Sequence, residues 1–305
     1  MRRRRFPTPV RQALLALLLA AAIAVPAAAL PFQLPALNEA PTGEHHVGKM
    51  IYAELVTPDL AAAMRFYGQL FGWSFAEQQG DGITYASASL DGRPVAGLIQ
   101  KALPRSAPRA PAWLTLMAVS DADAAEATAL AHGAKLLFAP HDLPNLGRKA
   151  VLADPQGAVF ALLASASGDP PDYLAAPGEW IWSSLITTDP DKDAAFYQAL
   201  FGFDVFELPA DPGAEHLLLA SHNYARASVN SLPGKDGDNH PHWINFIRVL
   251  DADKTAAQVV ALGGRVLVQP RLDRHGGKVA LVADPAGAPF GLLEWAAGES
   301  KEVPK

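Results

Sequence analysis

The chain has 305 residues, of which 50% are hydrophobic, and it carries 25 Lys and Arg against 31 Asp and Glu. This amount of apolar residue can fill more than one ordinary core, which excludes a disordered chain. The chain has no cysteine, and this excludes disulfide bonds, thiolate metal ligands and a cysteine nucleophile. Any chemistry must therefore use histidine, carboxylate, hydroxyl, arginine or backbone groups.

The N-terminus has the features of a secretory signal. Five arginines precede the apolar run from Ala13 to Val25, and Ala27-Ala28-Ala29 offers a cleavage site. The apolar run is shorter than the ~20 residues of a membrane span. We therefore predict a signal peptide that is cut after Ala29, a periplasmic or secreted protein, and no stable membrane span after cleavage. The alternative is an uncleaved anchor.

Removal of this segment changes the charge of the protein. The remaining chain has 20 basic against 31 acidic residues, a net charge near −11. An acidic protein repels the phosphates of DNA and RNA. The sequence therefore predicts no nucleic-acid partner.

The sequence repeats itself at an offset of 130 residues. Phe66-Tyr67 aligns with Phe196-Tyr197, and 12 of the 22 residues that start at Gly147 are identical to those that start at Gly277. We therefore predict two homologous domains that pair within one chain. The predicted organisation is a signal peptide over 1–29, a Pro-rich leader over 30–45, domain 1 over 46–166, a linker over 167–177, domain 2 over 178–297 and a tail over 298–305.

Each predicted domain contains two βαβββ modules. In the first module, alternation from Ile51 to Val56 predicts a strand, and Thr57-Pro58-Asp59 precedes a helical pattern that ends at Gly72. A strand that begins at Trp113 and a helix over 123–132 open the second module. Short strands joined by turns follow each helix. Domain 2 repeats this pattern.

These motifs resemble the vicinal oxygen chelate superfamily, which includes glyoxalase I, bleomycin-resistance proteins and extradiol dioxygenases. The resemblance is carried by residues 54–59 (ELVTPD), 66–73 (FYGQLFGW), 113–123 and 154–160 (DPQGAVF), and it extends over nearly all of 46–297. It implies an α+β fold in which the two βαβββ modules of each domain form a cup-shaped mixed sheet. Helices then cover the convex face, and a small-molecule ligand occupies the cup.

The resemblance also implies a divalent metal, held by His, Glu or Gln side chains from four strands. The corresponding positions are Tyr52, Gly97, Trp113 and Ala161 in domain 1, and Trp182, Ala227, Trp243 and Gly291 in domain 2. None of these eight side chains is a good ligand for a divalent ion. We therefore predict no cofactor at this site, although members of the family commonly use a metal.

Strand alternation provides candidates for binding a ligand in the cups. We predict that aromatic and polar side chains line them: Tyr52, Glu54, Trp113, Thr115, Trp182, Ser184, Trp243 and Asn245. The alternative is that Trp113 and Trp243 fill the cups as packing residues. Glu54 is the candidate for acid/base catalysis or ligand binding, because a carboxylate on a half-buried strand needs a partner. The alternative for Glu54 is a structural ion pair with an arginine or a wet position at the rim.

Three functional hypotheses follow. The favoured one is a metal-free protein of the cell envelope that binds a small apolar or aromatic ligand. The second is a lyase or dioxygenase of the vicinal oxygen chelate type that uses Glu54 or a non-standard metal site made by His216, His222 and His242. These histidines are more simply interpreted as surface residues. The third is a structural or interaction role, with ring side chains closing both cups.

Overall fold

The computed structural model describes residues 33–80, 82–102, 111–208, 216–232, 240–272 and 277–295. The predicted signal peptide and tail lie outside the described residues. Of the helices in the described ranges, none combines the length and the hydrophobicity that a membrane crossing requires.

The described elements form two βαβββ modules in each half of the chain. In the first half they are β1 (Met50–Thr57), α1 (Leu60–Phe71), β2 (Ser74–Gly80), β3 (Ile83–Leu90), β4 (Arg93–Gln100), β5 (Trp113–Ala118), α2 (Ala122–Ala131), β6 (Lys135–Leu143), β7 (Gly147–Ala153) and β8 (Val159–Ser165). In the second half they are β9 (Trp180–Thr187), α3 (Pro190–Phe201), β10 (Asp204–Glu207), β11 (His216–Ser221), β12 (Tyr224–Ser231), β13 (His242–Val249), α4 (Ala252–Ala261), β14 (Arg265–Leu272), β15 (Lys278–Ala283) and β16 (Pro289–Glu294).

Each half forms one eight-stranded mixed sheet. The strand orders are β2-β3-β4-β1-β5-β8-β7-β6 and β10-β11-β12-β9-β13-β16-β15-β14. In the first sheet, β1 is parallel to β4 and antiparallel to β5, so the β1–β5 pair joins the two modules. The second sheet repeats this arrangement through β9 and β13. The predicted α+β fold with two modules per domain is confirmed.

The helix ends follow from local chemistry. Asp59 and its equivalents accept hydrogen bonds from backbone N–H groups of the first helical turn, which would otherwise lack partners. These N-cap residues are Asp59, Asp121, Asp189 and Asp251. Gly72 and Gly202 end α1 and α3 with φ angles of 76° and 71°, a conformation that favours glycine.

The two sheets pack against each other through their helix-bearing faces. Phe66 of α1 contacts Phe290 of β16, with ring centroids 6.3 Å apart, and Phe196 of α3 contacts Phe160 of β8 at 6.1 Å. Each contact joins a helix of one domain to a strand of the other. The main apolar core is therefore shared between the domains, which explains why both helix-bearing faces are rich in buried apolar residues.

Two equivalent tyrosine–aspartate hydrogen bonds cross this shared core. The Tyr67 hydroxyl donates to Oδ2 of Asp284 at 3.3 Å, and the Tyr197 hydroxyl donates to Oδ2 of Asp154 at 3.0 Å. Burial raises the pKa of both tyrosines, and the neighbouring carboxylates raise it further. The hydroxyls therefore stay protonated and act as donors.

The same aspartates also shape the turns that the sequence predicts. Oδ1 of Asp154 accepts the backbone N–H groups of Gln156, Gly157 and Ala158 at 2.8–3.0 Å. Oδ1 of Asp284 accepts the equivalent N–H groups of Gly287 and Ala288. Each Asp-Pro-x-Gly turn is thus tied to the opposite domain through its own carboxylate.

A buried carboxylate beside this network has no counterpart in domain 1. Asp193 of α3 is 1% exposed, and the equivalent residue at the 130-residue offset is Ala63. Burial raises the pKa of Asp193 to about 7, and the negative charge of Asp154 adds to this effect. Since the folded protein binds this proton more tightly than the unfolded chain does, stability falls as the pH rises from about 4 to about 7.

The Asp193→Asn variant tests this titration. Asparagine keeps the shape of the side chain and removes its charge, so the variant should match the wild type at pH 4. At pH 8 it should be more stable by about 2–4 kcal/mol. Urea unfolding of both proteins across this pH range measures the difference. A constant difference between pH 4 and pH 8 would contradict the assignment of the titration to Asp193.

Candidate functional site

The register between β1 and β5 decides which side chains line the concave face of domain 1. Tyr52 lies opposite Leu116 and Glu54 opposite Leu114, whereas Trp113 pairs with Leu55 and Thr115 with Ala53. Because paired residues share a face, Trp113 and Thr115 lie on the helix side. The prediction that they line a cup is therefore wrong: alternation orders residues along one strand, but the register between strands sets their common face.

The same correction applies to domain 2. Trp243 pairs with Leu185 and Asn245 with Ser183, so both lie on the helix side. Trp113 and Trp243 donate from Nε1 to the hydroxyls of Tyr67 and Tyr197 at 3.0 and 2.9 Å. They are packing residues of the shared core, not of the cups.

Thr115 and Asn245 meet at the pseudo-twofold axis between the domains. The Thr115 hydroxyl donates to Oδ1 of Asn245 at 2.8 Å, and the Ser183 hydroxyl donates to the same oxygen at 2.9 Å. All three residues are buried. These two predicted ligand-binding residues therefore join the domains.

One predicted metal position also shifts in register. Ala227 lies in the shared core, and Ser228 is the residue that pairs with Ser184 of β9, as Gly97 pairs with Glu54 in domain 1. Residues of β3 and β4 are therefore separated from their equivalents in β11 and β12 by 131 residues, rather than by the 130 found elsewhere in the repeat. The turn residues Asp91 and His222 show the same offset, with φ angles of 49° and 52°.

The concave face of domain 1, which we call cup 1, is filled by its own side chains. Lys149 of β7 donates from Nζ to Oε2 of Glu54 at 2.6 Å. The two side chains reach each other over the strands β5 and β8, which lie between β1 and β7 in the sheet. The hydroxyls of Tyr52 and Tyr85 lie 3.3 Å apart, and burial raises the pKa of both. All four side chains are buried. Glu54 thus has a structural cationic partner, a lysine in place of the arginine considered above.

The leader closes cup 1 from outside. Leu34 and Leu37 belong to the same apolar cluster as Tyr52 and Leu116 and are 4% and 6% exposed. The Asn38 amide holds this segment in place by donating to the carbonyl oxygens of residues 167–169 at 2.9–3.3 Å. Cup 1 is consequently an apolar core spanned by one ion pair.

The concave face of domain 2, which we call cup 2, differs in chemistry. Trp182, Phe246 and Trp295 form a cluster there in which all three rings are partly exposed. A chain of hydrogen bonds lies beside them: Trp182 Nε1 to the Ser228 hydroxyl at 3.1 Å, Ser228 to Ser184 at 2.8 Å, Asn230 Nδ2 to Ser184 at 2.6 Å, and His216 to the Asn230 amide oxygen.

Equivalent positions explain this difference. Glu54 and Lys149 of cup 1 correspond to Ser184 and Val279 of cup 2, so the ion pair is absent from the second domain. Tyr85 corresponds to His216 at the 131-residue offset. The two cups therefore share a backbone but differ in the side chains that could act on a ligand.

The three candidate metal-binding histidines serve separate local roles. His216 contacts Asn230, His222 lies in the turn between β11 and β12, and the exposed His242 contacts the His240 carbonyl oxygen at 2.7 Å. Within the described ranges, no three His, Asp or Glu side chains converge on one point that could hold a metal ion.

Comparison with known proteins identifies the family. The family model described as Glyoxalase/Bleomycin resistance protein/Dioxygenase superfamily matches residues 45–162, and a Glyoxalase-like domain model matches residues 183–293. A curated Mycobacterium tuberculosis protein named "Putative glyoxylase CFP32" is 31% identical over 82% of this chain and 96% of its own length. The anthracycline biosynthesis protein DauV of Streptomyces sp. is 32% identical over 81% and 93%. The chain belongs to the vicinal oxygen chelate superfamily.

Solved structures of the superfamily share the two-domain fold. The Mn(II)-bound glyoxalase from Novosphingobium aromaticivorans aligns with a TM-score of 0.59 at 19% identity, over 83% of this chain and 84% of that protein. The 2,3-dioxygenase LapB from Pseudomonas sp. KL28 aligns with a TM-score of 0.58 at 14% identity, over 83% and 93%. These likenesses establish the architecture.

The family's metal does not fit the residues at its expected positions. A Cβ atom added at Gly97 would lie 1.9 Å from the Tyr85 hydroxyl, and one at Gly291 would lie 2.0 Å from the Phe246 ring. Aromatic side chains therefore fill the space that a longer ligand residue would need. The neighbouring cup positions Leu116 and Ala161 carry no donor atom.

Sequence reasoning missed the polar centre of cup 2. Ser228 and Asn230 carry its hydrogen-bond chain, but a fixed offset of 130 placed Ala227 at the cup position instead. The turn could have revealed the shift, because Asp91-Gly92 and His222-Asn223 both suit positive φ angles.

A double-mutant cycle on the Glu54–Lys149 pair tests its structural role. Lys149→Met leaves a buried carboxylate without its cation and should destabilise the protein by about 3–5 kcal/mol. Glu54→Leu should act similarly, whereas the double variant should recover most of the loss. Urea unfolding measures each value. The control Lys192→Met, at the exposed pair with Asp189, should change stability little.

Additive losses in the double variant would mean that Glu54 and Lys149 do not depend on each other. That result would return Glu54 to the list of candidate acid/base groups.

Proposed function

We propose that this protein is an exported member of the superfamily that binds a small aromatic ligand in cup 2 without a metal. The observation that carries the proposal is the contrast between the cups. Cup 1 is closed by a buried ion pair and two leucines, whereas cup 2 presents three partly exposed rings beside a chain of hydrogen-bonding groups. Apolar walls with a few placed polar groups are the usual composition of a small-molecule site.

The side chains of cup 2 define the ligand chemistry. Trp182, Phe246 and Trp295 offer ring faces and edges, which favour stacked or edge-on contacts with an aromatic group. Ser184, Ser228 and Asn230 offer hydroxyl and amide groups that both donate and accept hydrogen bonds. A neutral aromatic molecule with a hydroxyl or carbonyl group satisfies both features. The names of DauV and DnrV, from anthracycline biosynthesis, agree with an organic small-molecule ligand.

Catalysis with a metal has less support. None of the residues at the family's ligand positions, Tyr52 and Ser228 included, carries an imidazole or a carboxylate, and within the described ranges the three candidate histidines do not converge on one point. The best-placed acid/base group, Glu54, is buried and paired with Lys149. Binding therefore accounts for the residues present better than a lyase or dioxygenase reaction does.

Ligand binding and metal content can be tested on the same sample. We expect saturable quenching of tryptophan fluorescence by at least one compound in a screen of small hydroxylated aromatic molecules. Asn230→Leu should weaken that binding at least tenfold, because it breaks the hydrogen-bond chain, whereas Ser74→Leu on the exposed edge strand β2 should not.

Elemental analysis of protein purified without added metal completes this test. The proposal expects a metal content near zero. One equivalent of tightly held Zn, Fe, Mn or Ni would overturn the metal-free assignment, and a screen without saturable quenching would overturn the binding role.

The proposed export rests on the arginine-rich start, the apolar run and the Ala27-Ala28-Ala29 site. Expression of the full chain in a Gram-negative host should give a periplasmic protein whose N-terminal residue is Leu30. Replacing Leu15 and Leu18 by arginine should interrupt the apolar run and retain the uncut chain in the cytoplasm. N-terminal sequencing of each fraction measures the outcome, and an uncut wild-type chain would contradict the proposal.

A further inference from the structure

A cavity of about 430 Å³ lies between the two domains. It is separate from both cups, although Tyr52 of cup 1 and Trp182 of cup 2 also line its edges. Its walls come from the starts of four strands and from the linker. The strand segments are residues 49–52 and 179–183, which each begin one residue before β1 or β9, together with 94–95 of β4 and 224–226 of β12. The linker contributes residues 170–175. Its volume lies within the ~300–1,000 Å³ range typical of ligand pockets.

The position of the cavity follows from the internal duplication. Residues 49–52 and 179–182 are equivalent at the 130-residue offset, and residues 94–95 and 225–226 are equivalent at 131. Each domain therefore supplies the same two strand starts. The linker has no duplicate and lines the cavity on one side, so the cavity is asymmetric although two of its walls are equivalent.

Irregular backbone occurs at both equivalent walls. The β1–β5 register shifts between Met50 and Tyr52, and the β9–β13 register shifts where Trp182 and Trp180 meet β13. A bulge redirects side chains and is over-represented beside binding sites. Here both register shifts fall at residues that line the cavity.

The charged residues of the wall are already paired within the protein. Arg226 donates from both terminal nitrogens to Asp172 at 2.6 and 2.9 Å, and Lys49 contacts Asp172 at 3.0 Å. Although burial opposes it, these contacts with Arg226 and Lys49 hold the pKa of Asp172 well below its usual range. Glu179 is paired with Arg93 at 2.7 Å.

These pairings decide the charge of a suitable ligand. An anion would have to compete with Asp172 for its cations, and a cation would compete with Arg93 for Glu179. The first exchange leaves the partly buried carboxylate of Asp172 without its cations, which is costly. The second must break the contacts of the buried Glu179, whose carboxylate already accepts hydrogen bonds from Arg93, the Tyr173 hydroxyl and the Ala176 N–H. Most of the remaining wall is apolar or aromatic, with Met50, Val95, Trp180 and Trp182 among its residues, and Ser183 and tyrosine hydroxyls add polar groups.

We propose that this interdomain cavity is a second binding site, specific for a neutral aromatic molecule. The site needs both domains and the linker, so an occupant contacts all three. Because it adds a site outside the polar centre of cup 2, this inference goes beyond the proposed function.

The neutral dye N-phenyl-1-naphthylamine and its anionic relative 1-anilinonaphthalene-8-sulfonate test the proposal on the full chain. They share the same rings and differ in the sulfonate group. The wild type should bind the neutral dye saturably, seen as enhanced fluorescence, and should bind the anionic dye at least tenfold more weakly. Equal affinity for the two dyes would overturn the assignment of a neutral site.

Ala225 lines the cavity and offers variants that fill it. Ala225→Trp should reduce the affinity for the neutral dye at least tenfold, and Ala225→Leu should give an intermediate loss. Circular dichroism and thermal unfolding check the fold of each variant, and Ala225→Leu replaces Ala225→Trp if the larger side chain is not tolerated. Unchanged binding in a folded filling variant would overturn the proposal.

Asn230→Leu separates this site from cup 2. If the dye occupies the interdomain cavity, this variant binds it as the wild type does. If Asn230→Leu loses the dye and Ala225→Trp keeps it, the dye lies in cup 2. That outcome overturns the second site and leaves the proposed function standing.

Discussion

The shared core between the domains depends on two hydrogen bonds, Tyr67 to Asp284 and Tyr197 to Asp154. Each phenol also accepts a bond from a tryptophan Nε1, so every polar group of the network has a partner inside an apolar layer. Loss of either partner leaves a buried donor or acceptor unsatisfied, which costs about 1–3 kcal/mol. This requirement constrains the relative position of the two domains, because each bond joins a helix of one domain to a turn of the other.

The sequence predicted the fold because its signals are local or repeated. Asp59, Asp121, Asp189 and Asp251 cap helices within one turn, and the 130-residue repeat revealed two domains without any structural information. The site was harder to predict. Which face Trp113 occupies depends on the register between β1 and β5, and no local signal in β5 specifies its partner residues.

The single extra residue between β10 and β11 had a similar effect. It moved Ala227 to the core and Ser228 to the cup, so a prediction that is correct for the domain fails at the level of one side chain. The partners of Glu54 were also beyond local reasoning, because Lys149 lies 95 residues away and meets it across two intervening strands. Long-range pairing of this kind is determined by the folded sheet.

The duplication has allowed the two cups to diverge. Domain 1 has a salt bridge and a buried tyrosine pair, and its concave face now contributes to stability. Domain 2 has small polar side chains and partly exposed rings at the equivalent positions. One fold therefore supplies a stable half and a half with groups available to a ligand, while the helix-bearing faces of both remain committed to the shared core.

The docked leader has a consequence for where domain 1 begins. The family match starts at residue 45, yet Leu34 and Leu37 cover cup 1, and Asn38 ties this segment to the first residues of the linker. Burial of the two leucines stabilises this half by about 2 kcal/mol each. A domain cut at the family boundary would expose the apolar surface beneath them and tend to aggregate. The physical folding unit starts roughly ten residues before the boundary that homology assigns to it, at Leu34.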